Sequence, residues 1–206
     1  VLSAYRIHNH MKYFVFIPLI FASYSNYSYG DKTTWTFDNP DSRFEAKSGT
    51  AEMGYYDPLS TGWGANNTTF GNAASLNLPL SMDMDMQVMS FPACTNEQGY
   101  QIKTNFEPNG PYGESDGSVS NYTLVMDVLF PTTSMNKWHA LVQTDITNGS
   151  DSELFIHWRN GIGINNNYRG IIQPNTWHRI IWSVRAAPKE GQAQRYIDGQ
   201  AIGAIG

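Results

Sequence analysis

From Asn121 onward the chain reads as short strands separated by tight turns, and this constrains the fold more than any other feature of the sequence. In NYTLVMDVLFP, residues Tyr122, Leu124, Met126, Val128 and Phe130 fall on one face of an extended segment. Thr123, Val125, Asp127 and Leu129 fall on the other, and Pro131 stops the run. Trp177–Val184 is largely apolar on both faces, which is expected of a strand in the middle of a sheet. Arg195-Tyr196-Ile197 and Gln200-Ala201-Ile202 flank Asp198-Gly199, a pair suited to a two-residue hairpin whose turn positions need positive φ. An all-β, antiparallel two-sheet sandwich follows, and a helical bundle or a parallel α/β sheet does not.

The other end of the chain is of a different kind. Met11-Lys12 precedes the uncharged run YFVFIPLIFASYS, followed by small residues up to Gly30. A short basic start, an apolar core and a small-residue exit describe a secretory signal peptide over residues 11–30, cut before Asp31. The run is shorter than the roughly 20 apolar residues a membrane span requires. Residues 1–10 then read as leader upstream of the start, and 31–206 as one domain. Export, to the outside of the cell or to a bacterial periplasm or cell surface, is the expected location. A net charge of −5 with no basic cluster argues against nucleic acid as partner. The single cysteine, Cys94, has no partner for an internal disulfide and reads as a small packed thiol.

Between the two ends the signal is weaker. Trp35-Thr36-Phe37 and Phe44-Glu45-Ala46 read as short strands around the turn-forming DNPDS. Residues 54–73 read as a long connection carrying Tyr55, Tyr56 and Trp63. In SMDMDMQVMSFPA, alternation places Met82, Met84 and Met86 on one strand face and Asp83, Asp85 and Gln87 on the other. Gly99–Lys103 is a further strand, and EPNGPYGESDGS a loop. No helix is expected.

The ordered set YTLVMDVLFP, ALVQTD, GIGI with YRG, PNTWHRI and YIDGQAIG resembles the laminin G-like jelly-roll domains of the concanavalin A-like lectin/glucanase superfamily. The likeness covers residues 121–206 well and 35–105 more loosely. It implies two antiparallel sheets packed face to face, with binding on a concave face or at rim loops. Family members continue for several strands beyond the hairpin at which this sequence stops, so the resemblance also implies missing C-terminal strands and an exposed apolar edge.

The residues that carry chemistry narrow the functions. Glucanases of this superfamily set an acid and a nucleophile or base on one strand, and no E-x-D-x-E strand occurs here. Asp83 with Asp85, and Asp151 with Glu153, read as solvent-facing. His139, His157 and His178 lack metal-ligand spacing, and His178 reads as a hydrogen-bonded core histidine. The oxygen-rich loop TDITNGSDSE offers Asp145, Asn148 and Asp151 to a calcium ion, a cofactor that the resemblance also permits. For a sugar ligand the useful groups are exposed aromatic rings beside amides, because a ring covers the apolar face of a pyranose while amides take its hydroxyls. Trp63, Trp158, Asn166 and Tyr168 are the candidates, although Trp158, flanked by His157 and Arg159 on a strand, is equally placed for the core. The expected function is a secreted, non-catalytic module binding a glycan or cell-surface polysaccharide within a larger exported protein. A protein-interaction or adhesion module, and a hydrolase or lyase of the glucanase branch, are the alternatives.

Overall fold

The structure is a computed structural model describing residues 14–23 (backbone only), 31–79, 85–95, 98–110, 117, 119–143, 154–186 and 191–205. It is nearly all β, with fourteen strands among the described residues, every named strand pair antiparallel. The large sheet runs in the order β14 (Gln200–Ile205), β13 (Gln192–Ile197), β12 (Trp177–Arg185), β7 (Asn121–Leu129), β1 (Phe14–Ser23), β5 (Gln87–Phe91) and β4 (Thr69–Asn72). Strand β2 (Lys32–Trp35) also pairs with β1. A smaller sheet runs β11 (Asn167–Arg169), β10 (Ile162–Ile164), β9 (Leu154–Ile156) and β8 (His139–Val142), and β3 (Glu52–Tyr56) pairs with β6 (Gly99–Lys103).

The alternation read from the sequence is what joins the layers. Tyr122, Leu124, Met126 and Val128 of β7 are buried, and across the register lie Trp182, Ile180 and His178 of β12. This row packs against Leu154, Ile156 and Ile162 of the small sheet in one continuous core. The opposite face of the large sheet is polar along part of its length. Arg179, facing Asp127 across the ladder, donates to both its carboxylate oxygens at 2.7 and 2.6 Å, and this fork holds the guanidinium protonated. At the end of that face Leu129 and Val88 pack with Ala73 and Trp177, whose indole N–H donates to the Pro79 carbonyl at 2.7 Å.

Asp198-Gly199 forms the expected tight turn, with φ of 51° and 80°. It does more than reverse the chain. The Asp198 carboxylate accepts from the His178 ring Nδ1–H at 2.7 Å and from the Arg179 backbone N–H at 2.8 Å. His178 Nε2 in turn accepts from Gln173 N–H at 2.9 Å, so His178 is the packed, hydrogen-bonded residue the sequence implied.

Several expectations are corrected. Phe44 lies in a turn rather than a strand, with its carbonyl taking the Trp35 indole N–H at 3.0 Å. The supposed long connection at 54–73 contains the end of β3, a short helix α1 (Trp63–Asn67) and β4. Asp57 nucleates that helix by accepting from the backbone N–H groups of Gly62 and Trp63. Of the methionine-acid alternation, Met82, Asp83 and Met84 lie outside the described residues. Asp85 is exposed and accepts from Ala74 N–H and the Asn72 side chain, and the strand begins only at Gln87.

The apolar stretch read as an export signal supplies β1. It is paired with β7 on one side and with β5 and β2 on the other. Its register with β7 shifts between Ile17 and Ile20, where Pro18 has no N–H to give a ladder. No helix among the described residues is long and apolar enough to cross a membrane.

Candidate functional site

The exposed large aromatics of the small sheet meet at one place. Trp138, just before β8, and Trp158, just after β9, are 36% and 44% exposed, and they flank His157. The Trp138 ring stands edge-on to His157 at 4.4 Å and to Tyr168 of β11 at 5.4 Å. His157 lies tilted against Tyr168 at 4.8 Å and against Trp158 at 5.2 Å. Arg159 places its guanidinium carbon 4.5 Å from the centre of the Trp158 ring. The result is an aromatic platform with a cation on its margin.

Two asparagines bring these distant residues together. Asn136 and Asn160 both have left-handed backbones, with φ of 58° and 64°. Asn160 Oδ1 accepts from Asn136 N–H at 2.9 Å, and the Asn160 carbonyl accepts from Ile172 N–H at 2.9 Å. This clamp fixes the approach to Trp138 against the turn that carries Trp158. Within that turn His157 N–H donates to the Gly161 carbonyl at 2.8 Å, Asn160 N–H donates to the His157 carbonyl at 2.7 Å, and Arg159 N–H donates to His157 Nδ1 at 3.1 Å. The His157 ring is held below the ordinary imidazole range, by desolvation first and then by the Arg159 charge. It is therefore a neutral member of the platform at pH 7.

The third wall rests on a buried cation. Asn165 and Asn166, both at positive φ, form the two-residue turn between β10 and β11. Arg195 of β13 is 1% exposed and reaches across from the large sheet to hold that hairpin. Its guanidinium donates to the carbonyls of Ile162 at 2.7 Å and Asn167 at 2.6 Å, and more loosely to Asn167 Oδ1 and Gly203 O at 3.3 Å. Burial, and then the charge of Arg169, lower its affinity for the proton. Gly163, opposite Tyr168 in the ladder, leaves room for this: a Cβ there would lie 2.0 Å from Asn167 O and 2.6 Å from Arg195 Nη1.

Of the residues proposed from sequence, Trp158 and Tyr168 are brought together through His157. Trp158 lies in a turn, not on a strand, and its exposure decides against the core. Asn166 sits at the hairpin tip two residues before Tyr168, where its left-handed backbone already accounts for it. Trp63 belongs elsewhere, in α1, packed half-buried against the core beside β3. Trp138 and His157 were not proposed as ligand groups. Asn160-Gly161, a turn-forming pair, is the signal that would have lifted the preceding residues off a strand.

The proposed calcium ligands Asp145, Asn148 and Asp151 lie outside the described residues, and among the described residues no cluster of three His, Cys, Asp or Glu side chains is placed to hold a metal. His139 is buried, stacks on Phe130 at 5.4 Å and donates from Nε2 to Ser134 O at 2.7 Å; burial depresses its pKa to about 4. Cys94 is half-buried, and desolvation pushes its thiol up to about 11, which leaves little thiolate for chemistry at pH 7. No protein-family model, curated protein or solved structure matches the chain.

Proposed function

We propose that this chain is a secreted, non-catalytic carbohydrate-binding module of laminin G-like jelly-roll form, part of a larger exported protein. One observation carries the reading: two solvent-facing tryptophans, Trp138 and Trp158, stand around His157 and Tyr168 on one flank of the small sheet. Monomeric proteins seldom leave such rings clustered at the surface without a ligand. A pyranose presents an apolar C–H face to a ring and hydroxyls to neighbouring amides, and Asn136, Asn160 and Asn166 stand on the loops around this platform.

The test is retention of the purified protein on a panel of soluble and insoluble polysaccharides, with calcium and with chelator. Retention by at least one polysaccharide is expected, with Trp138→Ala and Trp158→Ala each weakening it about tenfold or more while circular dichroism stays unchanged. Failure of every polysaccharide to retain the wild-type chain would sink the reading and leave the platform to a protein partner. Export carries its own check. N-terminal sequencing of the protein recovered outside the cell is expected to begin at Asp31.

A further inference from the structure

We infer that the ligand of this platform carries negative charge, a carboxylate or a sulfate ester on a sugar ring; this deepens the carbohydrate reading and rests on it. The protein as a whole is acidic, with a net charge of −5, yet the charges at the platform are cationic. Among the described residues the acids in ion pairs are Asp38 and Asp127, with partners Lys47 and Arg179, while Asp198 accepts from the His178 ring. Neither Arg159 nor Arg169 has a carboxylate partner among the described residues. Arg159 is engaged through its backbone N–H and through the placement of its guanidinium over the Trp158 ring. Arg169 donates to the carbonyl of Tyr168 at 3.1 Å.

Geometry gives these two arginines unequal roles. A guanidinium over an indole ring is attracted by its charge and makes no conventional hydrogen bond to it, so its N–H groups remain for an acceptor. Arg159 is therefore pre-positioned, with its fork unsatisfied, next to the ring a sugar would cover. A carboxylate or sulfate accepts two parallel N–H bonds from such a fork, which a neutral hydroxyl does not. Arg169 stands in register with Ile162, whereas Tyr168 stands in register with Gly163. Its side chain thus leaves the edge strand from the other face, and it acts as a nearby charge at the margin rather than a contact on the rings. Arg195 lies behind it, fully engaged with carbonyls, and adds to the positive potential without reaching the ligand.

This mode of binding needs no metal. The experiment measures affinity by electrophoresis in gels containing a neutral glucan, a polyuronate or a sulfated polysaccharide, with chelator present and at two salt concentrations. Expected is retention by the polyuronate or the sulfated polymer, weakening as salt rises, and the polymer that retains the protein identifies the anionic group. Arg159→Gln should lose about tenfold in affinity, Arg159→Lys should recover only part of it, and Arg169→Gln should lose about two- to threefold. Lys103→Gln, on the exposed face of β6, controls for unspecific attraction and should change nothing. Retention by the neutral glucan alone, insensitive to salt and to Arg159→Gln, would overturn the anionic ligand while sparing the platform as a sugar site. Equal losses from Lys103→Gln and Arg159→Gln would also overturn it, and no retention by any of the three polymers would remove both readings.

Discussion

Two groups of aromatic rings in this protein look alike as chemistry and differ in what surrounds them. Around the β3–β6 pair, Phe44 packs edge-on against Tyr55 at 4.8 Å and Phe70 at 5.6 Å, while Tyr100 lies against Phe91 at 4.6 Å. Apart from Tyr55, which stays exposed at the margin, these rings are part of the core or packed on it, and Phe91 is buried. At the other group Trp138, His157, Trp158 and Tyr168 make contacts of similar length, but both tryptophans are exposed and His157 and Tyr168 only half-buried. The first group buries area and so holds the fold together. The second withholds that area, leaving it for something else to cover. A ring contact alone therefore does not separate structure from site; the next layer out does.

The sharpest way to break this comparison is to truncate one ring from each group. Phe91→Ala should cost about 3–5 kcal/mol in urea unfolding, because it removes a buried ring and leaves a cavity. Trp158→Ala should change stability by no more than about 0.5 kcal/mol, as exposed substitutions do, while weakening polysaccharide retention about tenfold or more. Similar losses of stability from both would mean that the platform is core after all.

The histidines sharpen the same contrast. His139 has a folded-state pKa of about 4 against an ordinary 6.5, so the folded chain binds fewer protons between those values. Its contribution is whole above pH 6.5 and is lost as pH falls toward 4, amounting to about 3 kcal/mol across the window. His139→Gln should flatten the dependence of the denaturation midpoint on pH between 6.5 and 4. His157→Gln, at the more exposed group, should flatten that slope less, since its ring is lowered in the same direction but is far less buried.

A smaller effect is expected at the turn that ties sheet to hairpin. Asp198→Ala removes acceptors from the His178 ring and the Arg179 N–H and should cost about 2 kcal/mol. Asp198→Asn should cost less, since an amide oxygen still accepts and asparagine tolerates the left-handed turn. Equal costs for the two variants would assign the value of Asp198 to its charge rather than to its geometry.

The sequence was legible where burial imposes a period on it. β7 and β12 were read with their faces because they lie in the middle of a sheet, and Asp198-Gly199 because both its positions need positive φ. The N-terminal half was read less well. Phe44 is apolar for the sake of Tyr55 and Phe70, which lie far away in sequence, so no local period marks its turn. The site was half legible for the same reason. Trp158 and Tyr168 were found as aromatic residues near amides, but Trp138 joins them only through the Asn136–Asn160 clamp, a contact spanning 24 residues. The sandwich architecture was recoverable from alternation, while the pairing of Arg195 with the β10–β11 hairpin was not. Nothing in a string of residues tells a buried arginine which carbonyls will meet it.

The bond between His178 and Asp198 has a kinetic side as well. It spans only 20 residues and locks β12 to the β13–β14 turn, so this meander can form from local contacts with little loop entropy to overcome. The pairing of β7 with β12 instead joins positions as distant as Asn121 and Arg185. Contacts of such separation form slowly, so the order of events runs outward from the meander to the rest of the sheet. On that order Asp198→Ala slows refolding in stopped-flow in step with the stability it loses, whereas Phe91→Ala mainly speeds unfolding. A turn that looks like a simple hairpin thus acts as the place where the fold begins.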